Sequence, residues 1–377
     1  MAGEAASALG LSMAVLSERP DDAACAVAAE VLIGSPHVEA ELRALAERCD
    51  VITFDHEQVD LNLLEQLAAE GVRVRPGVSA LTMAVDKGHM RATLSAAGIS
   101  VPAHALLPAG GSALGQVEAF AADHGWPIIL KTTRGGYDGK GVWPLADLAE
   151  ADRVLIELSE AGILLLEEMV PLDAELAVMV ARRPGGQSVA WPAVETAQVG
   201  GVCREVLVPG RLDPAVLAAA STLGHRVAEL AGVVGVMAVE LFWSRGQLLV
   251  NEVATRPHNS GHWTIEGATT SQFENHLRAV MDLPLGDASP QHAQVASVNV
   301  FGGEAGQDPA ALLPGALVTE GAHVHLYGKE ARPGRKLGHV TVCGNQPDEV
   351  RTSAWAAALA LGTPRPVGLK LPRGLSS

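Results

Sequence analysis

Aromatic residues make up only 3% of this 377-residue chain, and there are four cysteines. Cys25, Cys49, Cys203 and Cys343 lie far apart, and none forms a Cys-x-x-Cys pair. That spacing argues against a structural zinc site and against a disulfide framework. No apolar run approaches the roughly 18–20 residues that a bilayer requires. The start, Met1-Ala2-Gly3-Glu4, has neither the basic region nor the apolar core of a signal peptide, so a reduced, cytoplasmic protein is expected. Cations are also scarce: 27 Lys and Arg stand against 43 Asp and Glu, for a net charge of −16. Nucleic acid and anionic membranes are bound mostly by Lys and Arg meeting phosphates, so neither is an expected partner. A small anionic substrate is still compatible, because a local cationic cluster can operate inside an acidic protein. What the chain does have is apolar bulk, 48% hydrophobic residues with 40 glycines. That excludes a disordered chain, and the length suggests two or three domains.

The pattern along the chain falls into parts. Up to about residue 85, short apolar runs alternate with helical spacings. Helices are expected at Ala2–Leu9, Ala23–Ala29, Val38–Arg48 and Leu61–Glu70. Strands are expected at Met13–Leu16, Val31–Gly34, Val51–Phe54 and Val72–Val74. This alternation implies a doubly wound parallel sheet, whose ligand crevice lies beyond the carboxyl ends of its strands. Glu18 and Asp55-His56-Glu57 fall there, although polar loop residues that cap helices fit the same positions. From about Val101 the strands come in pairs joined by Gly-containing turns, as at Ile128–Lys131 with Gly141–Trp143. Helices intervene at Ser112–His124, Leu145–Glu160 and Pro214–Ala231. From about Val295 come further strands and a helix at Val350–Leu361. Pro284–Pro290 is the linker candidate. The expected fold is α/β and α+β in three domains: 1–85, 86–290 and a small β-rich 291–377.

Five constellations carry chemistry. In Lys131-Thr-Thr-Arg134-Gly135-Gly136-Tyr137-Asp138-Gly139-Lys140-Gly141, four glycines in seven positions let backbone N–H groups approach a bound group, and cations flank them. A phosphate cradle needs this, and a flexible hairpin turn is the competing reading. It is not a Walker A loop, because Gly141 follows Lys140. In Val236–Trp243 and Gln247–Glu252, a three-residue loop Arg245-Gly246-Gln247 puts Glu240 opposite Glu252. Opposed carboxylates repel unless a cation sits between them, and Mg²⁺ typically takes one or two carboxylates plus substrate phosphates. The loop Arg256-Pro257-His258-Asn259-Ser260-Gly261-His262-Trp263 follows directly. Pro257 and Gly261 exclude a zinc helix there, and Arg256 suits an oxyanion. Lys329, Arg332, Arg335 and Lys336 form a cationic hairpin, either a phosphate site or a solvated tip. Leu164–Val170 and then Glu175 could offer a nucleotide base an edge and its ribose an acceptor.

Together these strings resemble the ATP-grasp superfamily, and in detail the N5-carboxyaminoimidazole ribonucleotide synthase family. The resemblance rests on Gly135–Gly141, on Asn251-Glu252 through Arg256 to Trp263, and on Arg332-Pro333-Gly334-Arg335-Lys336-Leu337-Gly338-His339. They occur in the family's order. The resemblance implies that Lys87 and Lys131 bind ATP phosphates under a lid formed by Gly135, Gly136, Tyr137, Asp138, Gly139, Lys140 and Gly141. It places adenine at Glu167, Glu168, Met169 and Val170, ribose at Glu175, and Mg²⁺ or Mn²⁺ at Glu240, Asn251 and Glu252. His258, Asn259, Ser260, His262, Lys329, Arg332, Arg335 and Lys336 are to surround the ribonucleotide. Tyr137, Asp138, Arg256 and His262 are the catalytic candidates. The implied substrates are ATP, bicarbonate and 5-aminoimidazole ribonucleotide, with no biotin, in a homodimer. The competing functions are another ATP-grasp carboxylate or ribonucleotide ligase, such as a formate-dependent one, and a nucleotide-binding protein without turnover.

The chain departs from the family in one respect. Family members begin with a strand and a Gly-Gly-Gly-Gln-Leu type turn, whereas here Met1 already lies in the first helix. The expectation is a first sheet lacking an internal strand. Four or five buried side chains at about 1.5–3 kcal/mol each make that loss roughly 6–15 kcal/mol.

Overall fold

Alternation of apolar and polar side chains along long strands decides the layout of this protein. The computed structural model describes residues 1–107, 113–136, 140–304, 306–373 and 375. Among those residues three sheets form. The largest has nine strands. Its order is Gln247–Ala254, Gly235–Ser244, Ala174–Arg182, Val194–Val199, Val202–Val208, Gln294–Phe301, Lys336–Gly344 and Ala322–Leu326, with Ser188–Ala190 paired beside Ala174–Arg182. A four-stranded sheet is ordered His104–Leu107, Leu164–Glu168, Ile128–Thr132 and Val142–Leu145. Ala14–Ser17 pairs in parallel with Glu30–Ile33.

Register assigns the faces of the large sheet. Glu252 lies opposite Glu240, Glu240 opposite Ala177, and Glu175 opposite Phe242 and Thr196. Thr196 opposes Val206, Val206 opposes Ser297, and Ser297 opposes Thr341. Cross-strand partners share a face, so all of these lie on one side. The other side is apolar. Leu176, Val178, Val239 and Val250 pack there with Ala220 and Val227 of the helix Pro214–Ala231. Farther along, Val298, Val300 and Val340 pack with Trp355 and Ala358 of the helix Pro347–Ala360. The small sheet divides the same way. Ile128, Leu130, Leu164 and Leu166 form a core with Val117 and Val154 of the helices Ala113–His124 and Leu148–Glu157, while Lys131 and Glu167 take the opposite face.

Several expectations change. Val51–Phe54 and Val72–Val74 contribute one parallel bridge, Ile52 to Val74, in place of strands. That bridge is separate from the pair Ala14–Ser17 and Glu30–Ile33. Ala23–Ala29 forms turns instead of a helix. Asp22, in the capping position, is taken up by the Ser17 hydroxyl at 2.6 Å, and seven residues without an apolar stripe do not offset the cost of helix nucleation. Two helices lie where none was expected, Val78–Val85 and Lys87–Ala96, separated at Asp86, whose carboxylate accepts from the His89 N–H at 2.9 Å. The large sheet itself is continuous on both sides of residue 290. Strand Gln294–Phe301 pairs with Val202–Val208, and the Pro284–Pro290 segment is tied down by Asn275, whose side chain both donates to and accepts from Gly286.

Candidate active site

The helix Lys87–Ala96 lies between the two sheets and joins them. Lys87 and Arg91 are four residues apart, so their side chains leave the same face of the helix. Lys87 Nζ reaches Glu252 at 3.0 Å on the large sheet. Arg91 pairs through Nε with Glu167 on the small sheet, and its Nη1 donates to the Asn251 carbonyl at 2.7 Å. Lys131 Nζ meets the other Glu167 oxygen at 2.7 Å. Glu167 is 2% exposed and therefore shared by two buried cations. Burial alone raises a carboxyl's pKa, but Arg91 and Lys131 outweigh it and hold Glu167 below its usual range. Glu252 behaves the same way: burial raises its pKa, and Lys87, Lys131 and Arg91 bring it below normal.

Glu240 and Glu252 do face each other, though through different geometry from that expected. The turn has two central residues, Arg245 and Gly246, with φ of 49° and 77°. Ser244 therefore pairs with Gln247, and Leu241 with Val250. A bulge then leaves Asn251 without an opposite residue and brings Glu252 onto Glu240. The Asn251 carbonyl accepts from Arg91 Nη1, while its side-chain Oδ1 is buried and has no hydrogen-bond partner among the described residues. Two opposed carboxylates and an unspent amide oxygen form an all-oxygen donor set that suits a hard divalent cation.

The loop after Glu252 is held from both sides. Glu57, from the amino-terminal part, accepts the Thr255 N–H at 3.0 Å and Arg256 Nε at 2.7 Å. The Gln272 amide pairs with both backbone groups of His258, at 2.8 Å each. His258 Nδ1 accepts the Ser260 N–H at 3.3 Å and lies 2.9 Å from its hydroxyl. An accepting Nδ1 puts the ring proton on Nε2, which faces Glu240 at 3.4 Å. Burial, with Arg256 and Lys336 nearby, pushes this imidazole down to about 3, so it stays neutral. Lys336 pairs with the Asn259 side-chain oxygen.

Behind this loop is a cluster of rings. The His325 and His339 rings stack at 4.6 Å, and His339 lies 4.8 Å from His262. Tyr327 and His339 Nδ1 are 2.8 Å apart, and His325 Nε2 meets Glu266 at 2.5 Å. Burial first, then neighbouring cations and imidazoles, keeps His262 and His339 well below the usual histidine range.

Other expected residues are less closely gathered. Glu167 and Glu168 are engaged within the small sheet, and Glu168 accepts the Ala103 N–H at 2.9 Å. Met169 and Val170 lie just past that ladder, with Met169 exposed. Burial raises the Glu175 pKa on the same face as Glu240. In the cationic hairpin, Arg332 pairs with Glu330 at 2.5 Å and Arg335 Nη1 donates to the Glu330 carbonyl at 3.2 Å. Lys329 lies 5.7 Å from the Tyr327 ring. Of the Gly-rich run, Tyr137, Asp138 and Gly139 lie outside the described residues. At its start Gly135 has a φ of +78°, and a side chain on Gly136 would come within 2.7 Å of the Lys140 carbonyl. At its end Gly141 has a φ of +73° and its carbonyl accepts the Thr132 N–H at 3.0 Å.

Comparison with known proteins supplies the family. The N5-carboxyaminoimidazole ribonucleotide synthase of Mycobacterium tuberculosis is 47% identical over 366 residues, covering 95% of this chain and 84% of that protein. The chain belongs to the N5-carboxyaminoimidazole ribonucleotide synthase family. Three family models divide it in the expected order: a ribonucleotide synthetase preATP-grasp domain at 1–85, an ATP-grasp domain at 92–273, and a phosphoribosylaminoimidazole carboxylase C-terminal domain at 295–353. The solved N5-carboxyaminoimidazole ribonucleotide synthetase of Thermus thermophilus is 35% identical, with a TM-score of 0.85, covering 96% of this chain and 95% of that one. An Aspergillus clavatus N5-carboxyaminoimidazole synthase solved with ADP and 5-aminoimidazole ribonucleotide is 28% identical, with a TM-score of 0.86 and coverage of 96% and 95%. Within this synthase family fold, Arg91, Gln272, His325, His339 and Glu266 join the site without having been expected as site residues. Met90 and Leu94, apolar and four apart, were the available signal for Arg91's helix. His339 stood in a quoted family string. Nothing local marks Gln272, His325 or Glu266.

Proposed function

We propose that this protein uses ATP to carboxylate 5-aminoimidazole ribonucleotide with bicarbonate, giving N5-carboxyaminoimidazole ribonucleotide, ADP and phosphate in purine biosynthesis. The observation that carries the reading is the convergence of Lys87, Arg91 and Lys131 on carboxylates of two facing sheets. That is where a triphosphate's charge needs compensation. Bicarbonate is a poor electrophile, and transfer of the γ-phosphoryl group to it gives carboxyphosphate, whose carboxyl or CO₂ the exocyclic amine captures. The protein's work is positioning and charge stabilisation. Lys87 and Lys131 neutralise the phosphates, and Arg256, anchored by Glu57, holds the bicarbonate. His258, Asn259, Ser260, His262, Lys329, Arg332, Arg335 and Lys336 enclose the ribonucleotide. Asp138, from its place in the Gly-rich run, orients or deprotonates the amine, with Tyr137 beside it. Closure of the run over the phosphates keeps water from an intermediate that hydrolyses readily.

The oxygen donors of Glu240, Asn251 and Glu252 suit Mg²⁺ or Mn²⁺. When bound, the ion screens phosphate charge and polarises the γ-phosphoryl group. In this reading no biotin takes part, the protein works as a homodimer in the cytoplasm, and nucleic acid and membranes are not partners. Among the described residues no helix is long and apolar enough to cross a membrane. ADP release tests the reaction. Release should require bicarbonate and 5-aminoimidazole ribonucleotide together, formate should not replace bicarbonate, and Glu252→Gln should abolish it. Release driven by formate, or release without the ribonucleotide, would refute this reaction.

A further inference from the structure

The sheet face that carries Glu240 and Glu252 continues toward the carboxyl-terminal strands. There Asn299 lies opposite His339 and Phe301 opposite Lys336. Intervening residues Val298, Val300 and Val340 turn to the apolar side. Ser297, Asn299, His339 and Thr341 are polar and buried, an unusual composition for a surface that only packs.

Arg204 joins this face at a second bulge, between Cys203 and Glu205 on strand Val202–Val208. Its neighbour Glu205 turns the other way. Glu205 takes Arg351 at 2.6 and 2.9 Å and Trp355 Nε1 at 2.9 Å, so it does not serve Arg204. The Arg204 guanidinium lies over the Phe301 ring, 4.0 Å from its centroid, and its Nε is buried with no hydrogen-bond partner among the described residues. No carboxylate among the described residues pairs with it. Burial holds its pKa below the ordinary arginine value, yet a guanidinium does not give up its proton. A buried N–H without an acceptor is costly, and this one belongs to a half-buried guanidinium that sits on a rigid aromatic platform with its planar fork unspent. Lys336, opposite Phe301, adds a second cation on the same face. Two cations, one with a fork geometry, match the oxygens of a phosphate monoester.

We propose that Arg204, lying on Phe301, whose cross-strand partner is Lys336, is a ligand for the phosphate monoester of the ribonucleotide substrate. The identity of that substrate rests on the reaction proposed above; the anion chemistry of Arg204 does not. The experiment compares wild type with Arg204→Gln and Arg204→Lys. In steady-state ADP release, Arg204→Gln should raise KM for 5-aminoimidazole ribonucleotide at least thirtyfold, on the order expected for a charged hydrogen bond to phosphate. KM for ATP and for bicarbonate should stay within about twofold, because Arg204 meets neither. Arg204→Lys, which keeps the charge but not the fork, should fall between. Calorimetric titration with ribose 5-phosphate, in saturating Mg-ADP, gives a readout without turnover. Wild type should bind it, and Arg204→Gln at least tenfold more weakly, with melting temperature little changed. An unchanged ribonucleotide KM, an equal rise in the KM for ATP or bicarbonate, or equal affinity for ribose 5-phosphate would overturn the assignment. If wild type releases no ADP with the ribonucleotide, the reaction fails and the titration still decides Arg204. If Arg204→Gln does not fold, Arg204→Lys with wild-type ribose 5-phosphate affinity and ribonucleotide KM would overturn it equally.

Discussion

Glu57 holds Arg256 without using up its fork. Its carboxylate takes Arg256 Nε and the Thr255 N–H, and the remaining contact, Nη1 to the Pro257 carbonyl, is at 3.1 Å. The guanidinium is thereby fixed in orientation, and Nη2 is left out of these contacts. Glu57→Gln keeps the size and removes the charge. A charge-assisted hydrogen bond is worth about 1.5–3 kcal/mol, so catalytic efficiency for bicarbonate should fall roughly 10- to 150-fold. Bicarbonate dependence of ADP release measures this, and wild-type KM and kcat would show that Arg256 needs no anchor. Glu167 has the opposite duty, because its charge is spent inside the protein on Arg91 and Lys131. Glu167→Gln leaves two buried cations with one neutral acceptor. Breaking a buried ion pair costs about 3–5 kcal/mol, and urea denaturation should report a loss of that order. A loss under about 1 kcal/mol would mean that water reaches the cations and compensates them.

At the scale of elements, what was legible was the alternation. The hairpin Gly235–Ser244 with Gln247–Ala254 and the helix Pro214–Ala231 could be read from apolar runs, turn residues and a Pro at the first helical position. The pairing of Glu240 with Glu252 was legible too, but through compensation. A two-residue turn with a bulge at Asn251 yields the same opposition as a three-residue turn without one. A bulge leaves no local mark, since it satisfies its own backbone through a distant group, here Arg91. The contact of Arg91 with Glu167 spans 76 residues, and no periodicity encodes such a partner. Joining of the carboxyl-terminal strands to the large sheet was equally hidden, because a sheet edge looks the same from sequence whichever strand covers it. That junction is clipped on its apolar side by Glu205, buried between Arg351 and Trp355 of the helix Pro347–Ala360. Arg351→Met should strand this carboxylate and cost about 3–5 kcal/mol, whereas the double replacement Glu205→Leu with Arg351→Met should recover most of it. Thermal denaturation of these two variants beside wild type distinguishes this from simple loss of packing, in which the double variant would be no better than the single.

At the scale of the whole molecule, the amino-terminal part must stay docked for Glu57 to reach Arg256. Its attachment runs through the helix Gln272–Val280. Arg75 Nη1 donates to the Val280 carbonyl at 2.6 Å, and Thr53 Oγ1 lies 2.7 Å from His276 Nε2. On its other side His276 Nδ1 accepts the Val236 N–H at 3.1 Å, which places the ring proton on Nε2 and makes that nitrogen the donor to Thr53. A second proton would break the Val236 bond and bury a charge, and burial accordingly pushes this imidazole from 6.5 down to about 4. The unfolded chain binds that proton more readily than the folded one between those two values. The stability contributed by a neutral His276 is therefore complete above about pH 6.5 and is lost as pH falls toward 4, a total of about 3 kcal/mol for this group. His262 and His339, also depressed by burial, add to the same slope. His276→Gln keeps polar atoms near Val236 and Thr53 but cannot titrate. Its urea midpoint should fall less between pH 7 and pH 5 than that of wild type, and its stability at pH 7 should be the lower of the two. If Arg256, anchored by Glu57, holds bicarbonate as proposed, loss of activity in wild type should follow the same acid limb and shift with the variant. Parallel pH curves for the two proteins would remove His276 from the docking contact's titration.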